Sequence, residues 1–261
     1  MRVINLGSGS KGNSTLIEHN NTKLLIDAGL TKKDLEERLR SVGVEFSDIT
    51  AIIVSHNHID HIKCVGAISK KYSTAVYAPR ECFFDPKLET VPIINRHIIG
   101  LDDFVVGDIR VETFEVPHDA LKTIGFVFYA DGNKVSLVTD VGEINDLVIN
   151  RLKESNLIMI ESNYDKEMLK TGPYPASLKK RISSNMGHLS NDDCATVITR
   201  LSRLGTNYFM LMHLSEINNT PEIAYNTTMN KLYNEYDGEI NVKVFLSYQH
   251  KISPNFVFKK R

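Results

Sequence analysis

Four side chains that can ligate metal stand within six residues, His56, His58, Asp60 and His61, in the pattern H-x-H-x-D-H. Residues two apart on an extended chain project to the same side, so His56 and His58 can offer imidazoles to one cation. Asp60 and His61, at the start of a helix, turn toward a second. Histidines crowded this closely repel one another when protonated unless a metal holds them neutral, so a decorated surface loop accounts poorly for the cluster. Two divalent ions about 3.5–4 Å apart can lower the pKa of a bridging water to near 7 and clamp both oxygens of a phosphodiester displacement. The chemistry implied is hydrolysis, with a metal-bridging hydroxide as nucleophile.

Further candidates follow apolar runs. His118 comes after Phe114-Glu115-Val116-Pro117, Asp140 after Ser136-Leu137-Val138-Thr139, and His213 after Phe209-Met210-Leu211-Met212. Strand ends of this kind place polar side chains on one rim. With the cluster they make seven ligands, five His and two Asp, and a carboxylate such as Asp140 can bridge two ions. Such mixed sites accept zinc, manganese or iron.

The positioning elements are mostly strands. Arg2–Leu6, Ser14–Glu18 and Lys23–Ile26 read as strands, the last two joined by an Asn20-Asn21 turn. Leu35 and Leu39 mark one face of a helix over Lys32–Val42, and Ile49–Val54 is an apolar run ending in the histidine cluster. A helix is expected from about His61 to Lys71. Strands are expected at Ala75–Ala78, Phe104–Val106, Ile109–Val116, Thr123–Tyr129 and Lys134–Val138, with Asp131-Gly132-Asn133 as a hairpin turn. A helix at Leu147–Lys153, a strand at Leu157–Ile160, a helix at Asn191–Arg203, a strand at Tyr208–Met212, a helix at Glu222–Tyr236 and a strand at Val242–Ser247 complete the reading. Many strands with interspersed helices favour sheet on sheet with helices outside, an α/β (α+β) fold of the αββα four-layer sandwich type.

The chain has 261 residues, 42% hydrophobic, and 31 basic against 32 acidic side chains give a formal charge of −1. That balance excludes a polybasic binder whose affinity comes from net charge, though not an anionic substrate, because bound cations would concentrate positive charge in the cleft. No linker-like stretch or internal repeat divides the sequence, so residues 1–261 are expected to form one domain. Cys64, Cys82 and Cys194 show no CxxC spacing and read as reduced thiols. The opening MRVINLGSGSKGNS lacks a signal-peptide apolar run, and nothing approaches the ~20 apolar residues of a membrane helix, so a soluble, cytoplasmic protein without membrane partners is expected.

Taken together, these residues resemble the metallo-β-lactamase superfamily of dinuclear metallohydrolases, with matches from about Asn5 to Ser215. The resemblance implies that His56, His58 and His118 bind one metal, that Asp60, His61 and His213 bind the other, and that Asp140 bridges. It also implies that Asp27, in L-L-I-D-A-G, supports the site from behind its ligands. A flavodiiron oxidoreductase usually has Glu where His58 stands, and a true zinc β-lactamase usually lacks His61 and has Cys where Asp140 stands. The ligand set is instead similar to the nuclease and phosphodiesterase branch. Leu6–Ser14, L-G-S-G-S-K-G-N-S, with Gly187-His188-Leu189-Ser190, resembles most closely the YycJ/WalJ/VicX exonuclease group. Glu161 stands where transfer-RNA 3′-processing members carry His-Glu-Ala-Thr, but Ile160 precedes it, which leaves that relay incomplete. The interval from Asp140 to His213 is too short for the extra domain of RNA-cleaving β-CASP members.

On the substrate side, His188 is the candidate acid or phosphate clamp, because Ser190 and Asp193 have capping-box-like spacing and start a helix just beyond it. Asp60 and His188 are thus the candidate catalytic pair. Lys179, Lys180 and Arg181, before a short loop, can contact phosphates or form a solvated basic turn. Ser10 and Asn13, in the Gly-rich loop, can touch substrate or satisfy backbone groups. Tyr164 and Tyr174 can stack on bases or simply pack. The expected function is DNA exonuclease. A small-molecule phosphodiesterase or other metallohydrolase with the same metals is one alternative, and a non-catalytic regulatory protein of the same fold is another.

Overall fold

The structure, a computed structural model, describes residues 1–236 and 241–260. It opens with an antiparallel meander of β1 (Arg2–Gly7), β2 (Ser14–His19) and β3 (Thr22–Ile26). Asn20 turns the β2–β3 hairpin at φ 49°, a left-handed conformation that asparagine tolerates. In α1 (Lys32–Ser41), Thr31 caps the first turn by accepting from the Asp34 N–H, and Leu35 and Leu39 face the core. β4 (Ala51–Ile53), α2 (Ile59–Ile62), α3 (Val65–Tyr72), β5 (Ala75–Pro79) and β6 (Arg96–Ile99) follow, with β3 to β6 pairing in parallel.

The single helix expected over His61–Lys71 is two helices. The break falls at Cys64, φ −120°, whose N–H and thiol both reach the Ala28 carbonyl, at 3.0 and 3.2 Å. A contact to a strand end distant in sequence overrides local helical periodicity here.

The second half begins with β7 (Phe104–Val106), β8 (Ile109–Glu115), β9 (Ile124–Ala130) and β10 (Asn133–Val138), all antiparallel. Asp131 and Gly132, at φ 48° and 74°, make the two-residue turn whose twist suits a hairpin. Then come α4 (Asp146–Leu152), β11 (Leu157–Glu161), α5 (Lys166–Thr171), α6 (Ala176–Ile182), α7 (Asn191–Arg203), β12 (Tyr208–Met212), α8 (Pro221–Glu235), β13 (Lys243–Leu246) and β14 (Asn255–Val257). Lys179, Lys180 and Arg181 therefore lie on a helix, α6, rather than in a basic turn. β6, β14, α5 and α6 are elements the sequence pattern did not announce.

The strands form two sheets of seven, ordered β14-β1-β2-β3-β4-β5-β6 and β13-β12-β11-β10-β9-β8-β7. Alternation along each strand divides its side chains between a central and an outer layer. Leu24 and Ile26 of β3 meet Leu157 and Met159 of β11 between the sheets, while Leu25 packs under α1 and α3, and Ile158 and Ile160 pack under α4, α7 and α8. This is the αββα four-layer sandwich. Among the described residues, no helix is long and apolar enough to cross a membrane.

Candidate metal centre

The site sits where strands end. In an open parallel arrangement the carboxyl ends of the strands are where ligands gather. Asp27 follows β3, Asp140 follows β10 and His213 follows β12. All three adopt left-handed backbone, with φ 59°, 55° and 54°. For residues with a Cβ this costs about 1–2 kcal/mol each, and it releases each side chain from the in-and-out alternation of its strand. His58 sits at the N-terminus of α2, so the chain passes from extended at His56–His58 to helical at Asp60 and His61.

Protein groups fix one nitrogen of each buried ring. His61 Nδ1 donates to Asp27 Oδ2 at 2.7 Å, and His56 Nδ1 lies 3.0 Å from Ser55 Oγ, which itself donates to Asp27 Oδ2 at 2.9 Å. His118 Nδ1 donates to the Gly187 carbonyl at 2.9 Å, and His213 Nδ1 to Glu161 Oε1 at 2.9 Å. This leaves Nε2 of His56 and His213 unpartnered in the cleft, the usual way outer partners aim metal-binding histidines, while Nε2 of His118 lies 3.3 Å from His58 Nδ1. His56, His58 and His118 offer ligand atoms within 4.8 Å of one another, as do Asp60, His61 and His213. His56, His61 and Asp140 do likewise and join the two groups.

The donor set fits divalent cations. His56 Nε2, His213 Nε2 and Asp140 Oδ2 are buried without a hydrogen-bond partner among the described residues. Asp140 Oδ2 is 3.1 Å from His61 Nε2, yet the contact lacks hydrogen-bond geometry. Leaving such atoms unpaired costs about 1–3 kcal/mol each, so three in one cavity call for a partner that accepts electron pairs. Burial, then the neighbouring His61, holds the His56 imidazole well below its ordinary pKa, and burial beside His118 lowers His58. At His61 burial opposes protonation, but Asp140, Asp27 and Asp60 outweigh it and hold the pKa well above the ordinary value. His213, likewise opposed by burial, is pushed up to about 10 by Asp140, Asp60 and Glu161. Burial disfavours ionised Asp140, but His213 and His61 keep its carboxyl well below the usual range.

Other expected residues take varied places. Asn13 is buried, its amide nitrogen 3.2 Å from the Gly9 carbonyl, 3.0 Å from His61 Nε2 and 3.3 Å from Asp60 Oδ2, so it braces the ligand loop from inside. Ser10 is exposed at the tip of its loop, while Ser8 accepts from the His213 N–H at 2.9 Å. His188, its side chain 19% exposed, donates through Nδ1 to Glu161 Oε1 at 2.7 Å. Glu161 thus does have a histidine partner, which comes from the Gly187-His188 loop and not from position 160. Arg181 bonds Asp119, whose Oδ1 lies 3.5 Å from His118 Nε2 and 3.7 Å from His58 Nε2. Lys179 and Lys180 face away, into a pocket shared with Tyr164. Sequence reasoning passed over Asp119 and Ser55. Each is adjacent in the chain to a candidate ligand and polar, which is the signal that marks them.

A family model described as a beta-lactamase superfamily domain matches residues 22–214. The exodeoxyribonuclease YycJ of Bacillus anthracis is 36% identical over 84% of this chain and 84% of its own. The exodeoxyribonuclease WalJ of Streptococcus pneumoniae is 36% identical over 87% of this chain and 86% of its own. Among solved structures, the metallo-β-lactamase fold protein YhfI from Bacillus subtilis superimposes with TM-score 0.70 at 15% identity, covering 96% of this chain and 98% of its own. Zn(2+)-bound PqqB from Methylobacterium extorquens gives TM-score 0.72 at 13% identity over 99% and 100%. These two likenesses are of fold.

Proposed function

Because this chain belongs to the beta-lactamase superfamily and has the metallo-β-lactamase fold, we propose that it is a dinuclear metal-dependent phosphodiesterase working as a DNA exonuclease. The coarser conclusion is direct: it is a hydrolase of that superfamily with His and Asp clusters compatible with divalent metal. The observation that carries the finer reading is the meeting of seven donor residues in one cavity with three of their atoms otherwise unpaired. Relatives named exodeoxyribonuclease, alike over most of both chains, support DNA as the substrate.

In this reading His56, His58 and His118 would hold one ion and Asp60, His61 and His213 the other, with Asp140 as a ligand available to both. Two divalent ions, of zinc, manganese or iron, supply water activation and charge neutralisation when bound. The protein's own groups do the rest. Asp27 keeps the His61 ring oriented, directly, and that of His56 through Ser55. Asp60 Oδ2, 3.5 Å from His213 Nε2 and 3.6 Å from His61 Nε2, is placed to take a proton from the attacking water. Burial works against a charged His188, but the Glu161 carboxylate outweighs it and raises the imidazole pKa, which favours the protonated ring. Its Nδ1 is committed to Glu161, so Nε2 is the atom that delivers a proton to the leaving oxygen. Arg181, held at the cleft by Asp119, and the exposed Ser10 are the groups assigned to flanking phosphates in this reading.

The test is metal analysis followed by digestion of end-labelled single-stranded and duplex DNA, with His58→Ala as the control. Metal-dependent loss of nucleotides from DNA ends, abolished in the variant, is expected. A metal-loaded protein that hydrolyses bis(p-nitrophenyl) phosphate but leaves every DNA end intact is a small-molecule phosphodiesterase. One that cleaves neither favours a regulatory role.

A further inference from the structure

Next to the cleft, α5, α6 and the start of α7 enclose a second pocket of about 430 Å³, whose polar lining includes Tyr164, Lys166, Lys170, Lys179, Lys180 and Asp193. Four ammonium groups meet one carboxylate. The carboxylates that oppose an anion are Asp193, 3.3 Å from Lys166, then Asp192, 3.8 Å from Lys166, and Glu167, 3.4 Å from Lys170. Lys179 donates to the Lys170 carbonyl at 2.7 Å, and Lys180 is exposed with no carboxylate partner among the described residues. Solvent-exposed pairs of this sort contribute about 0–1 kcal/mol, so an incoming anion can replace them.

Tyr164 gives the pocket a polar base. It is 5% exposed overall and lines the pocket. Burial and the nearby Asp193 push its pKa up to about 12, which keeps it a donor. Its backbone is tied to the metal-site loop: Tyr164 bridges Ser190, two residues past His188, and the Asn191 N–H donates to the Tyr164 carbonyl at 2.9 Å. On the other side, α6 carries Arg181 to Asp119 at the metal cleft and Lys179 and Lys180 to the pocket. The pocket and the metal cleft therefore lie to either side of α6. Leu169 adds an apolar side to the pocket.

We propose that this pocket is a phosphate subsite for the same strand, taking the backbone phosphate of a nucleotide next to the one at the metal centre. Lysine ammonium groups only donate and a tyrosine hydroxyl can donate, which matches phosphate oxygens, and the Leu169 wall suits the face of the attached sugar. The inference rests on the nuclease reading and adds Tyr164, Lys166 and Lys170 to the substrate contacts.

The test uses Lys166→Gln/Lys170→Gln and, separately, Tyr164→Phe, with two probes. Bis(p-nitrophenyl) phosphate, a single diester, does not reach the pocket, and its hydrolysis should be unchanged. A fluorescein-labelled single-stranded oligodeoxynucleotide of about a dozen nucleotides should bind the double variant, in a His58→Ala background, with roughly tenfold lower affinity. The slope of log K against log salt should shrink by about 0.7 per lysine, so by about 1.4. Tyr164→Phe should weaken binding without changing the slope. Wild-type affinity and slope in the double variant overturn the subsite, even where DNA is cleaved normally. Lysine-dependent binding by a protein that cleaves no DNA leaves the subsite standing and removes the nuclease reading. No oligonucleotide binding at all overturns both.

Discussion

Glu161 Oε1 lies 2.7 Å from His188 Nδ1, and the two residues reach each other from the end of β11 and the loop before α7. The same oxygen accepts from His213 Nδ1 at 2.9 Å, while Oε2 accepts from the N–H of Val141 at 2.9 Å, the residue after Asp140. One buried carboxylate thus aligns the proposed proton donor, one candidate ligand and the backbone beside another.

If His188 protonates a leaving oxygen, its loss matters in proportion to how poor the leaving group is. His188→Asn should lower kcat on DNA by about 10²–10⁴-fold, but should hardly affect bis(p-nitrophenyl) phosphate, whose nitrophenolate departs without a proton. Glu161→Gln should show the same pattern more mildly, about 10–100-fold. Steady-state kinetics on the two substrates decides it; equal losses on both would reduce His188 to a structural residue.

Unpaired buried donors make the metal-free fold weaker than the loaded one. Adding manganese or zinc to chelator-treated protein at a hundred times its Kd should add about 2.7 kcal/mol of stability and raise Tm by roughly 5–10 °C. Differential scanning calorimetry reads this directly. An unchanged Tm would mean that the cluster does not hold metal.

Gly29 is pressed against the ligand helix: a Cβ there would sit 1.6 Å from the Asp60 carbonyl oxygen and 2.7 Å from the His61 nitrogen. Both obstacles are backbone, so Gly29→Ala must displace α2, at about 3 kcal/mol or more, and should reduce the bound metal measured by elemental analysis. Gly100→Ala, in open space, is the control and should match wild type in urea unfolding and metal content.

Glu112 supplies a pH-dependent part of the stability remote from the metal cluster. Only 8% exposed, it is pushed toward protonation by burial, but the Tyr129 hydroxyl at 2.9 Å and the Arg151 guanidinium outweigh that and hold its carboxyl below the usual range. Folding therefore favours the ionised form. The contribution is complete above the unfolded-chain value of about 4.3 and disappears as pH falls through the lower folded value. Glu112→Gln should cost about 1–2 kcal/mol at neutral pH, less than a sealed pair because Arg151 is half exposed. The gap between the two urea transitions should close in acid; a gap independent of pH would assign the effect to packing.

The three cysteines are buried, and burial pushes the thiols of Cys64 and Cys82 up to about 12 and that of Cys194 upward as well. Native protein should give no Ellman reaction at mildly alkaline pH and all three thiols in denaturant. Prompt labelling of any one in the native state would contradict its burial.

The candidate ligands were legible because four stand together in H-x-H-x-D-H and the other three come at the ends of apolar runs, patterns set by local sequence. His188 as the partner of Glu161 was not, since that pairing joins segments on different elements and depends on tertiary closure. α6 escaped notice because it is seven residues long, begins after Pro175 and buries no side chain, so it has no apolar stripe to detect. α5 buries only Leu169. The break at Cys64 was hidden for the opposite reason: the local pattern is helical, and the Ala28 carbonyl that interrupts it lies far away in sequence. Asn13 shows the same limit, for a polar loop residue gives no sign in sequence that it turns inward.

Each proposed ion draws donors from both sheets: His56 and His58 with His118 across the seam, and Asp60 and His61 with His213. Loaded, the two halves are cross-linked at their rim, with long stretches of chain closed into loops between the attachment points. Parting the sheets then requires ligands to let go first. The lifetime of the folded chain against a protease becomes a matter of how slowly its ions exchange, so chelation should shorten it more than the loss of equilibrium stability alone accounts for.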